Sequence, residues 1–409
     1  MWLEGADDSA ISRVTDTPVD ERTIWRMALT RIPGIGVAYT KKLIAALGDA
    51  AGIFKASQKE LRAAGLPEKL AQAVFEFDAW VELEAEAALL TAKGIRLIYL
   101  TDTDYPQRLL SIADAPPLLY YRGKADLNAS KTVAIVGTRK ANDYGRLATA
   151  QLIAQLRPVA PMIISGLAMG IDAAAHNAAL YNDLPTVGVL AHGLATIYPK
   201  QNKQLAGEMM KKGGLLTSYA YSTRAERFAF PTRNRLVAGL CDALIVVESG
   251  HEGGSMVTVG HARSLGKPIF AVPGRLGDLR SQGCNRLIQQ GVARLLSSGE
   301  QLVAEMGWMW PAGGAGVQAA ISFESLGASF ESAGASFESP GTSPEPAPSD
   351  SPEGRLERLI EEKENPDIDE LISFSGLDAS VVALALLQLE LRGAIAVLPG
   401  KRYARVRRA

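Results

Sequence analysis

Arg233, Asn234 and Arg235 follow Phe230 and Pro231 in the run FPTRNRL, just ahead of the apolar stretch CDALIVVES at 241–249. Arg227 precedes them, and Arg139 and Lys200 lie in two other polar segments, VGTRKANDYG and YPKQN. Guanidinium forks grip phosphate oxygens through paired hydrogen bonds, and an aromatic ring among them gives a nucleobase a face to stack on. One arginine of the pair also has a structural reading. Arg235 is expected to bond Glu248 or Asp242 and tie a helix to a strand.

Three further segments end strand-like runs in small residues and lead into helical ones. They carry Gly137 and Thr138 (136–145), Ser165 and Gly166 (165–172), and Gly253, Gly254 and Ser255 (248–256). Each is expected to present unpaired backbone N–H groups at a helix N-terminus, where the helix dipole favours an anionic oxygen. A single such loop often serves only a tight turn. Three in one sheet predict a row of anion sites.

Other chemistries find little support. No Gly-x-x-x-x-Gly-Lys-Ser/Thr loop is present, and no Gly-x-Gly-x-x-Gly follows a strand. Asp172 and His176 stand four apart on one helix, two ligands where a metal site needs more, and are expected to hydrogen-bond each other. Ser255 has no evident histidine partner and lies outside a Gly-x-Ser-x-Gly elbow. We therefore expect no catalytic residue, no metal and no cofactor. The two cysteines, Cys241 and Cys284, form neither a disulfide framework nor a metal spacing.

The net charge of −1 hides an uneven distribution. Residues 131–299 carry 19 Lys/Arg against 9 Asp/Glu, which suits an anionic partner for that block, while the same excess also serves a solvated surface. No apolar run reaches the ~20 residues of a membrane helix. The acidic MWLEGADDSA start lacks the order of a secretory signal, so a cytoplasmic protein without membrane contact is expected.

The elements that must position these residues fall into four segments. Residues 20–94 read as a helical domain, with one unbroken helical run over 67–94 and a helix-hairpin-helix-like turn at IPGIGVAY. That turn serves either direct DNA contact or a tight connection between helices. Residues 95–305 alternate strand and helix patterns, predicting an α/β, Rossmann-like parallel sheet covered on both faces, with 95–123 as its lead-in. Residues 311–354 repeat Ser-Phe-Glu-Ser from Ser322, Ser329 and Ser336 among Gly and Pro, as a disordered acidic linker does. Residues 355–409 read as a winged helix whose ASVVALALLQLELRG helix is almost wholly apolar and carries no base-reading cluster.

Taken in order, VGTRKANDYG, SGLAMGIDAAAH, GLATIYPKQN, FPTRNRLVAGLCDALIVVES, GGSMVT, FAVPG and GCNRLIQQG closely resemble the DNA-processing protein A (DprA, or Smf) family over about 170 residues. The resemblance implies a homodimer through a Rossmann-like core that binds single-stranded DNA and loads the RecA recombinase during natural transformation. It implies phosphate contacts at Gly137, Thr138, Arg139, Ser165 and Gly166. Arg227 and Phe230 would grip the strand, framed by Arg233, Asn234 and Arg235. The segment LLTSYA departs from the Ser-Glu-Tyr of many relatives.

Two rivals stand beside this expectation. One is a nucleotide-processing phosphoribohydrolase-like enzyme, although HEGGSMVTVGHAR lacks the glutamate such a loop ends in. The other is a DNA-binding regulator acting through the winged helix.

Overall fold

The computed structural model describes residues 20–310, 351–363 and 366–377, and beyond these residues 382, 385, 386, 389, 395–398 and 402–405. The chain divides into two compact units, 1–333 and 334–409.

The first unit opens with six helices, α1 (Glu21–Arg31), α2 (Val37–Leu47), α3 (Ala50–Lys55), α4 (Gln58–Ala63), α5 (Glu68–Phe75) and α6 (Trp80–Ala92). Side chains that satisfy orphan N–H groups set several starts: Asp20 caps α1, Asp49 caps α3, and Ser57 with Glu60 forms a capping box on α4. The unbroken helix expected over 67–94 divides into α5 and α6. At the break Phe77, Trp80 and Phe54 pack ring on ring, with centroids 4.9–5.7 Å apart, and that packing outweighs helical continuity. The short helix α3 is an addition that the sequence pattern does not predict. In the turn between α1 and α2, Gly34 takes φ +90°, open to glycine at little cost.

A nine-stranded sheet follows: β1 (Arg96–Tyr99), β2 (Leu118–Gly123), β3 (Thr132–Gly137), β4 (Met162–Ser165), β5 (Thr186–Val189), β6 (Gly214–Thr217), β7 (Ala243–Val247), β8 (Ile269–Ala271) and β9 (Arg294–Leu295). Its order is β1-β2-β6-β5-β4-β3-β7-β8-β9. From β6 to β9 every pairing is parallel, as the continuous apolar runs require. The expected lead-in is itself two strands: β1 and β2 add antiparallel to the β6 edge, so the sheet is mixed. Its connections include α7 (Gln107–Leu110), α8 (Asp143–Leu156), α9 (Ile171–Tyr181), α10 (Lys203–Lys212), α11 (Ala229–Leu240), α12 (Gly254–Ser264) and α13 (Gln282–Gln289), and α14 (Gly299–Glu305) follows β9.

Two buried clusters line the two faces of the central sheet, one around Ile164, Leu244 and Val246, the other around Ile135, Ile245 and Phe270. Each fully buried Ile or Leu there contributes roughly 1.5–3 kcal/mol of transfer free energy. A third cluster joins Ile24 and Met27 of α1 and Leu83, Ala87 and Leu90 of α6 to Tyr99, Leu118 and Leu215 of the sheet. The Arg26–Asp102 ion pair at 2.8 Å reinforces that junction. The helical segment therefore packs directly on the sheet.

In the second unit, α15 (Pro352–Glu362), α16 (Ile368–Ser375) and the hairpin β10 (Ile395–Leu398) to β11 (Arg402–Arg405) surround Leu356, Ile360, Leu371 and Ile395. Val382, Ala385, Leu386 and Leu389 are helical and buried there, which is why the sequence places apolar residues at that spacing. The linker expected over 311–354 lies outside the described residues up to 350. Its last three residues belong to α15, and Ser351 before them caps the helix by accepting from Gly354 N at 3.1 Å. The turn that Pro399-Gly400 predicts at the tip of the hairpin also lies outside the described residues.

Candidate nucleic-acid interface

Strand order reverses at β3, which lies between β4 and β7. In parallel sheets of this kind the loops at the carboxyl ends splay apart at that point and leave a crevice. Here the loops after β3, β4 and β7 enclose a cleft of about 300 Å³. Gly137, Thr138, Arg139, Gly166, Phe230, Arg233, Asn234, Gly253, Gly254 and Ser255 all line it, with Asp172 and Glu252.

Helical geometry explains which residues of FPTRNRL reach the cleft. The segment is the first part of α11 rather than a loop, and Pro231 falls in the first turn, where its missing N–H costs nothing. Phe230, Arg233, Asn234 and Val237 are spaced i, i+3, i+4 and i+7, one stripe of the helix, and all four line the cleft. Arg235 lies off that stripe. It pairs with Asp114, correcting the expected bond to Glu248 or Asp242. Asp242 is held instead by Arg108 at 2.8 and 2.9 Å, at the amino end of β7 and away from the cleft.

Arg233 is buried, which corrects its reading as an open phosphate grip. Its Nη1 donates to Gly166 O and, at 2.8 Å, to Val189 O, and its Nε donates to Asn234 Oδ1 at 3.0 Å. Asn234 Nδ2 donates in turn to Gly254 O at 3.0 Å. Gly166 has no room for a Cβ, because the Arg233 guanidinium fills that space. Burial pushes the Asp172 carboxyl above its ordinary value, while the charge of Arg233 opposes the shift.

Above this frame Arg139 is exposed, its Cζ 5.2 Å from the centroid of Phe230, with Arg233 Cζ 5.7 Å from the same ring. Phe230 thus joins one buried and one exposed guanidinium. Tyr198, half exposed, meets Phe230 edge to face with centroids 6.3 Å apart. Sequence reasoning passed over Tyr198 although it stands two residues before Lys200. Its only signal was an aromatic in a polar loop.

The row of three open helix ends is not observed. Asn142 caps α8 through Gly145 N at 3.0 Å, and Glu248 Oε2 accepts from Asn142 N at 3.0 Å. Asp172 Oδ2 takes Gly166 N at 3.1 Å and Ala168 N at 3.3 Å. No side chain caps α9 at Gly170 or α12 at Gly253, and at α9 the Ile171 N–H donates to Thr138 O at 3.1 Å.

Several expected site residues stand apart from the cleft. Ser165 is fully buried and donates to Ile135 O at 2.6 Å. Arg227, on a turn, and Lys200, which opens a short 3-10 helix after Tyr198 and Pro199, are exposed outside the cleft lining. The expected Asp172–His176 bond is replaced: His176 Nδ1 pairs with Thr186 Oγ1 at 2.7 Å. Ser255 Oγ shares a hydrogen bond with Ser249 Oγ at 2.7 Å. Among the described residues no group of three or more His, Cys, Asp or Glu is placed to hold a metal, and no helix is long and apolar enough to cross a membrane.

Residues 96–307 match the DNA recombination-mediator protein A family, and residues 340–401 match the DprA winged helix domain. The chain is 41% identical over 206 residues to the DNA processing protein DprA of Streptococcus pneumoniae, half of this chain and 72% of that one. To the protein Smf of Escherichia coli it is 31% identical over 350 residues, 85% of this chain and 87% of the other. The solved structure of DNA processing protein A from S. pneumoniae superimposes with a TM-score of 0.59 at 31% identity, covering 71% of this chain and 99% of that one.

Proposed function

Because this chain belongs to the DNA recombination-mediator protein A (DprA/Smf) family, we propose that it binds single-stranded DNA across the cleft of its sheet and acts as a recombination mediator. In this role it protects incoming strands and loads RecA onto them during natural transformation, as a cytoplasmic homodimer joined through the Rossmann-like core. One observation carries the reading. Exposed Arg139 lies over Phe230 beside the uncapped start of α12, so a cation, a π-face and free backbone donors converge at one place. A nucleotide strand offers the complement of each, in its phosphates and unpaired bases.

The role proposed is binding, without turnover. Ser255 shares its hydroxyl with Ser249, a pairing that supplies no base to activate it. Buried Arg233 serves as the frame on which the exposed groups are mounted.

Fluorescence anisotropy with labelled oligo-dT and a matched duplex, over a salt series, tests the proposal. Preference for the single strand with a steep salt slope, made shallower by Arg139→Ala, is expected. Equal affinity for duplex, unaffected by Arg139→Ala, would move the activity to the winged helix or the helical segment.

A further inference from the structure

Glu248 directly follows β7 and is 3% exposed, with φ +45°, a left-handed conformation uncommon for a long side chain. We propose that Glu248 is a positioning residue for single-strand binding: its carboxylate fixes the Arg139 loop to the wall of the cleft that follows β7. The inference rests on the single-strand reading above and adds the group that orients its cation.

One residue holds both ends of the segment that carries Arg139. Thr138 N–H donates to Glu248 O at 2.6 Å, and Asn142 N–H donates to Glu248 Oε2 at 3.0 Å. Between these anchors Arg139 and Lys140 are exposed, while Ala141 is buried in the core. The arrangement is a capping box completed from another part of the chain. In α4, Ser57 caps the helix, and Glu60, three residues on, accepts from Ser57 N–H at 2.8 Å. In α8, Asn142 caps the helix, but the residue three on is Gly145, which has no carboxylate to return. Glu248 supplies it across the sheet. A Cβ on Gly145 would collide with that carboxylate, so glycine at this position is what admits it.

The bond therefore ties together two sides of the cleft. Residues 249, 250 and 253–255, which continue from Glu248, line the cleft opposite Thr138 and Arg139. Two costs accompany it. The backbone is left-handed without glycine, and Glu248 Oε1 is buried with no partner. A residue kept only to fill space would incur neither, and strain of this kind collects where a binding group must be held in place.

The test measures oligo-dT binding by the full chain, with folding of each variant checked by circular dichroism. Glu248→Gln keeps the reach and an acceptor for Asn142 N–H, and should bind within about twofold of wild type. Glu248→Asp keeps the charge and tolerates the left-handed backbone, but is one methylene too short. It should weaken binding by roughly tenfold, the scale of one hydrogen bond to a charged group, and make the salt slope shallower. Gly145→Ala displaces the same carboxylate from the other side and should reproduce that loss even if Glu248→Asp does not fold. In an Arg139→Ala background neither change should weaken binding further, because the cation they misplace is gone. An equal loss with and without Arg139, no loss in Glu248→Asp and Gly145→Ala, or a loss in Glu248→Gln as large as in Glu248→Asp overturns the positioning role while leaving single-strand binding intact. Wild type that does not bind oligo-dT overturns the single-strand reading and this inference with it.

Discussion

The Arg233 Nε–H donates to Asn234 Oδ1 at 3.0 Å, joining two neighbours in the chain into one strut between three loops. One end reaches Gly166 O after β4 and Val189 O at the end of β5, and the other reaches Gly254 O after β7. The cleft keeps its shape because these backbone carbonyls are held from one side of one helix. Arg233→Ala would strip Gly166 O, Val189 O and Asn234 Oδ1 of a buried donor at once, and each buried polar group left unpaired costs about 1–3 kcal/mol. Urea unfolding followed by tryptophan fluorescence should show that loss. Arg233→Lys should recover only part of it, since an ammonium does not reproduce the fork. Full recovery by lysine would show that charge alone is needed.

Gly166→Ala tests the same strut from the opposite side. The added methyl would occupy the space of the Arg233 guanidinium, which could move away only by giving up its bonds to Gly166 O, Val189 O and Asn234 Oδ1. Overpacking of this kind costs about 1–3 kcal/mol. The substitution should lower both the unfolding midpoint and the affinity for oligo-dT, whereas Gly260→Ala, where a Cβ meets nothing within 4 Å, should do neither.

Two arginines of the basic block should behave differently in salt. Arg139→Ala removes an exposed cation from the cleft, so the slope of log affinity against log salt should fall by about 0.7 for each phosphate left without its cation. Arg235→Ala breaks only the half-exposed pair with Asp114, worth about 0–1 kcal/mol of stability, and should leave the slope unchanged. Equal slopes for the two variants would place the strand elsewhere.

Much of this site was legible in the sequence, and the exceptions have specific causes. The glycine loops, their order and the parallel strands between them follow from apolar runs that end in small residues. What composition cannot show is where a helix begins. Once FPTRNRL is helical, Arg233 takes a core-facing position and Arg235 the opposite face, although the two look alike in the sequence. Nor does a glycine loop reveal its own cap. Asp172 and Asn142 close two loops that the sequence offered as open. Tyr198 enters the site only through the fold, brought from the loop after β5 to the ring of Phe230.

Deleting residues 311–409 should leave oligo-dT affinity within about twofold if the sheet cleft carries binding, since the phosphate and stacking interactions that set affinity remain. Val382, Ala385, Leu386 and Leu389 are spent on the core of the second unit, which argues against base reading from that face of their helix. Loss of single-strand binding on deletion, with the remaining chain folded by circular dichroism, would reassign the activity.

Acid should weaken the core through His176. Its Nδ1–H donates to Thr186 Oγ1, whose own hydroxyl donates to Ile163 O at 3.0 Å, and His176 Nε2 is buried without a partner. A proton on Nε2 would add a donor with no acceptor, so burial pushes the imidazole down to about 3, with Arg233 adding to the shift. An unfolded histidine titrates near 6.5. Between about 6.5 and about 3, the unfolded chain holds a proton that the folded chain refuses, so the contribution is fully present above pH 6.5 and is lost as pH falls. The loss amounts to about 1.4 kcal/mol per pH unit across that window. His192 and His261, both shifted downward by burial, act in the same direction. Urea unfolding of wild type and His176→Gln from pH 8 to pH 5 isolates the residue. The variant should start less stable at pH 8 and lose less per unit of acid, and parallel curves would show that His176 is protonated in the folded protein as readily as in the unfolded one.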